Sequence, residues 1–137
     1  MNRITGEFSV KMRPESTSEV AAGTGVGRMS LDKQYHGALA ATGKGEMLAY
    51  MDSALGSGVY VAIERVEGTL DGKRGSFLLH HRGIMERGAP SLAVAVVPDS
   101  GRGELEGLGG TLNIRIEGGK HYYDFDYTLA DAAQRGA

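Results

Sequence analysis

A carboxylate, an imidazole and a phenol stand at Glu64, His81 and Tyr60, within the stretch GVYVAIERVEGTLDGKRGSFLLHHRG from Gly58 to Gly83. Held together away from water, such groups can move a proton. Burial raises a carboxyl pKa, a charged imidazole beside it lowers it, and the pair can relay a proton in an isomerisation or a cyclisation. The stretch reads as two strands joined at Asp71-Gly72, a strong signal for a tight hairpin. A two-residue turn sets Leu70 opposite Lys73, and then Val66 opposite Phe77, Glu64 opposite Leu79, Ala62 opposite His81 and Tyr60 opposite Gly83. Side chains alternate along a strand, so all of these share one face. Glu64 and His81 then stand diagonally, about 7–8 Å apart at the backbone, within reach of one another. A four-residue loop keeps this register, whereas a three-residue loop sets Glu64 opposite His80.

The bland reading of the same pair is a buried hydrogen bond that fixes register, since buried polar groups need partners in any case. Other chemistry finds less support. His80 and His81 are adjacent and point to opposite faces of a strand, so they cannot share a metal, and the chain has no cysteine. No metal site and no cofactor are expected. Gly23 to Gly27 and Gly43-Lys44-Gly45 resemble fragments of nucleotide-binding loops, but neither has the required spacing or a following helix.

The elements that position these groups are strands. Ile4 to Met12 alternates, as do Arg28 to Gly37 and, after a turn expected near position 42, Lys44 to Met51. Pro14 to Gly27 reads as a loop with one helical turn. Ser91 to Val97 is apolar on both faces, and a final hairpin turns at Gly118-Gly119, pairing Ile114 with Tyr123, Leu112 with Phe125 and Gly110 with Tyr127. About eight strands in meander order, with no major helix, predict an all-β, eight-stranded antiparallel barrel of the closed, lipocalin-like kind. A sandwich is the alternative. Inward faces built from Phe77, Leu79, Leu112, Ile114, Phe125 and Tyr127 follow from the two hairpin registers. Residues 1–130 form the single domain and 131–137 a tail.

Twenty-two glycines spread between apolar runs mark turns and strand bends rather than disorder, and 137 residues suffice for a real core. A formal net charge of −2 gives no reason to expect nucleic acid. The start lacks the apolar core of a signal peptide, and no stretch is long and apolar enough to span a membrane. With cysteine absent, a cytoplasmic domain is expected.

The blocks KQYHG from Lys33, GEML from Gly45, ERVEGTL from Glu64, GSFLLHH from Gly75, VVPDSG from Val96 and YDFDYTL from Tyr123 carry a resemblance. In them the chain resembles a bacterial family catalogued as domain of unknown function 3224, over nearly everything from Ile4 to Leu129. That family is similar in fold to the plant allene oxide cyclase barrel, so the resemblance implies a barrel with a central cavity. No catalytic motif of the plant enzyme maps residue by residue here. Relatives are expected to carry Gln at position 80, which makes His81 the family-like histidine.

Three functions stay open. A cofactor-free isomerase or cyclase would use Glu64 and His81 on a small apolar or amphipathic molecule. A carrier would use the same lumen, lined by Tyr60, Phe77, Leu79, Tyr123, Phe125 and Tyr127, without chemistry. A filled barrel would serve as an assembly module. Val61, Ile63 and Leu78 on the outer face, with Ser91 to Val97, predict a homo-oligomer.

Overall fold

The computed structural model describes residues 1–130; the tail expected at 131–137 lies outside the described residues. Among the described residues there is no helix. The strands are β1 (Asn2–Glu15), β2 (Gly27–Tyr35), β3 (Leu39–Asp52), β4 (Ser57–Leu70), β5 (Lys73–Glu86), β6 (Ala89–Val96), β7 (Arg102–Gly103), β8 (Gly109–Glu117) and β9 (Lys120–Thr128). Eight of them close into an antiparallel barrel, β1 through β6 in order, then β8 and β9, with β9 returning to β1. The two-residue β7 lies beside the start of β5.

Both hairpin registers follow from their turns. Asp71 and Gly72 have φ of 49° and 81°, and Gly118 and Gly119 have 57° and 78°. Two successive positive φ values make the turn whose twist matches that of paired strands. Leu70 accordingly pairs with Lys73 and Glu64 with Leu79, and Leu112 pairs with Phe125. Arg87-Gly88 makes a third such turn between β5 and β6.

Two expectations are corrected: Pro14 and Glu15, read as the start of a loop, are the last residues of β1, paired with Met29 and Arg28, and the turn near position 42 is absent. Ala41-Thr42-Gly43 is no turn but the middle of β3, with Thr42 paired to Gln34 on one side and Glu67 on the other. Leu39 and Ala41 are buried while Ala40 and Thr42 are exposed, the alternation of a half-buried strand. The turn falls instead at His36–Ala38, where Gly37 has φ 105°.

The barrel has a filled end and an open end. At the end bounded by the β4–β5 turn, Phe77, Leu79, Leu112, Phe125 and Tyr127 are buried as expected, and Ile114 packs against them partly buried. The Phe77 and Phe125 rings stack 5.8 Å apart. Leu105 and Leu108, from the glycine-spaced segment after β7, join this cluster. At the other end the β3–β4 and β5–β6 turns are tied together, Gly88 N donating to Gly56 O at 2.9 Å and Arg87 N to Ser57 Oγ at 3.0 Å.

Candidate functional site

Glu64 projects inward from β4 and His81 from β5, and the diagonal pair meets: His81 Nε2 lies 2.7 Å from Glu64 Oε1. Two further residues, both from β2, complete the group. Lys33 Nζ donates to the same Oε1 at 2.8 Å, and Tyr35 OH donates to Oε2 at 2.8 Å. All four are buried. Three donors thus surround one carboxylate, which is what a buried charge needs in order to persist. Lys33 also lies 5.3 Å from the Phe8 ring centre.

Burial by itself would push the Glu64 carboxyl up. The hydrogen bond from His81 and the charge and hydrogen bond of Lys33 outweigh it, and the carboxyl is held below its ordinary value. Tyr35 moves the opposite way: burial, then the negative charge of Glu64, push its hydroxyl well up, so it stays a donor. The second ring nitrogen of His81, Nδ1, makes no hydrogen bond among the described residues. The His81 side chain as a whole is 2% exposed, so Nδ1 stands unpaired in a nearly closed position.

Above this group lies a cleft of about 300 Å³ at the open end, lined chiefly by Met47, Ala49, Met51, Tyr60, Met85 and Leu92. Tyr60 pairs with Gly83 across the hairpin, and its ring lies over that glycine so closely that a methyl group there would overlap it. The next inward row down the same strands is Ala62 and His81. Lys33, Glu64 and His81 stand below the cleft and do not line it.

Of the residues expected to line a lumen, Tyr60 alone faces this cleft. Phe77, Leu79, Tyr123, Phe125 and Tyr127 sit in the packed end of the barrel. There the tyrosine hydroxyls secure turns: Tyr123 OH donates to His36 O at 2.8 Å and accepts from Leu39 N, and Tyr127 OH donates to the Asp71 carboxylate. Lys33 and Tyr35 carried a signal that sequence reading left unused. Lysine in the row Met29, Leu31, Lys33, Tyr35 breaks an otherwise apolar strand face, and a charge there demands a partner. Among the described residues, no cluster of three histidines, cysteines or carboxylates could hold a metal.

A family model described as protein of unknown function (DUF3224) matches residues 4–127. Among solved structures, the crystal structure of a protein with unknown function from the DUF3224 family of Shewanella oneidensis MR-1 is 49% identical. The match covers 96% of this chain and 99% of that one, with a TM-score of 0.88. None of the curated proteins matches.

Proposed function

The chain belongs to the DUF3224 family, and from the geometry of its barrel we propose that it binds a small, mostly apolar molecule in the cleft at the open end. The observation that supports this reading is a division of the lumen. One end is packed with aromatic rings, while the other holds an apolar cleft in which Tyr60 is the polar side chain brought from an inward position. Concave apolar sites with a small number of polar groups are the usual form of small-molecule sites. Three methionines give such a lining the softness to fit ligands of varied outline. The cytoplasm is the compartment this reading assumes, on the cysteine-free composition.

Titration with the apolar fluorophore 1-anilinonaphthalene-8-sulfonate, followed by displacement with medium-chain alcohols, tests it. Ala49→Phe fills the cleft from an inward position and should abolish displaceable binding. Val61→Glu, on the outer face, should leave it unchanged. Undiminished binding by Ala49→Phe removes the cleft from consideration.

An allene-oxide-cyclase-like activity is the second reading, and the unpaired Nδ1 of His81, one row below the cleft, favours it. Glu64 accepts from Nε2–H, which leaves Nδ1 as the ring nitrogen turned toward a substrate, one row below Tyr60. This is the orienting role that a carboxylate plays toward a catalytic histidine elsewhere. Glu64 itself has both oxygens engaged and acts by positioning. A product formed by wild type but not by His81→Gln, with ligand affinity unchanged, distinguishes catalysis from carriage.

A further inference from the structure

Leu48, Tyr50, Val59, Val61, Ile63 and Ile84 point outward from β3, β4 and β5 and are 38–58% exposed. Shallow grooves run across the same face, between Leu48, Val61, Ile63 and His80 and between Val26, Tyr50 and Val59. A contiguous apolar patch of this kind on a folded chain marks an interaction surface.

The sheet register shows what the patch fits. Outward residues on β4 run Ser57, Val59, Val61, Ile63, Arg65. Asp52 is paired with Ser57, and Lys44 with Arg65. Val61 is midway, so the acidic and basic rows lie at equal distances on either side of it, about 13 Å at the strand rise. Opposite charges placed symmetrically about an apolar centre make a surface complementary to itself.

We propose that this face joins two copies of the chain, related by a two-fold axis that lies in the contact plane and crosses β4 at Val61 perpendicular to the strand. Each strand then runs antiparallel over its own counterpart, as in face-to-face sheets aligned within about 30°. Val61 meets Val61, Leu48 meets Leu48, and Val59 of one copy meets Ile63 of the other. Asp52 of each copy falls over Lys44 of the other, so the ion pair forms twice, as an isologous contact requires. Arg82 on β5 and Arg28 on β2, the latter ion-paired with Glu46, share the row of Val61 and Leu48, so each falls near its own counterpart and opposes association.

Sedimentation velocity of the full chain at micromolar concentration tests the arrangement. Wild type should sediment at twice 14.5 kDa. Lys44→Glu and Asp52→Lys should each weaken the dimer about tenfold or more, while the double variant, which exchanges the charges, should regain most of that loss. Arg82→Gln should tighten it, and Val61→Glu, which touches no turn, should give monomer. Melting curves establish that each variant is folded. A wild-type monomer, a trimer or larger ring, or a double variant no tighter than the single ones overturns the proposal. So does an association that Val61→Glu leaves intact, or an outer face that captures a different protein in preference to a second copy.

Discussion

Lys33 and Glu64 form an ion pair at 2.8 Å although they are not on neighbouring strands. Strand β3 lies between them, and the residues it places opposite them are Gly43, paired with Lys33, and Gly45, paired with Glu64. A methyl group on Gly43 would overlap Glu64 Oε2 and come within 3.0 Å of the Tyr35 ring. Gly43 therefore leaves the space in which the carboxylate group is assembled, and Gly45 lets the backbones of β3 and β4 approach.

Gly43→Ala follows directly. Overpacking of a filled interior costs about 1–3 kcal/mol, and here the displaced atom is a buried charged oxygen rather than a flexible methyl. Urea unfolding should show a loss in that range. Gly72→Ala, where a methyl group would meet nothing within 4 Å, should cost less and only through its positive φ of 81°.

The carboxylate group should behave as a unit. Glu64→Gln leaves Lys33 charged and only 6% exposed, and breaking a buried pair in this way costs about 3–5 kcal/mol. Lys33→Met leaves Glu64 with His81 and Tyr35 and should cost somewhat less. The double variant Lys33→Met/Glu64→Gln should be more stable than the sum of the two losses by about 1–3 kcal/mol. Chemical denaturation of the four proteins reads the coupling, and simple additivity would mean that the two groups do not interact.

Two pH limits carry opposite signs. The folded-state pKa of Glu64 lies below its ordinary 4.5, so its contribution is present above about that pH and is lost as the pH falls through the folded value. Burial, then the hydrogen bond to Asp71, push the Tyr127 hydroxyl up to about 12 from 10.0. Its contribution is complete below pH 10 and is lost as the pH rises toward 12. Melting temperatures measured across both ranges should show the acid loss blunted in Lys33→Met/Glu64→Gln and the alkaline loss blunted in Tyr127→Phe.

The pair of Glu64 and His81 was legible because one turn, Asp71-Gly72, fixes every pairing along β4 and β5. Lys33 was not, although alternation puts it on one face with Met29, Leu31 and Tyr35. Bringing it to Glu64 requires the register of β2 on β3 and of β3 on β4, and a turn read near position 42 instead of at His36–Ala38 breaks that chain. The aromatic residues show a different gap. Alternation gives Phe77, Phe125 and Tyr127 as inward, but it does not say which end of a barrel is filled. That depends on where Leu105 and Leu108 fold back, and no period in the sequence marks them.

The cleft is tested most directly through its own methionines. Of six in the chain, Met47, Met51 and Met85 line the cleft, Met29 is paired with Met47 beside it, and Met1 and Met12 lie elsewhere. In a methionine-methyl NMR titration with decanol, the resonances of Met47, Met51 and Met85 should move together along one saturable curve, and those of Met1 and Met12 should stay in place. Shifts confined to Met1 and Met12, or no saturable shift at the cleft methionines, would contradict a ligand site at the open end of the barrel.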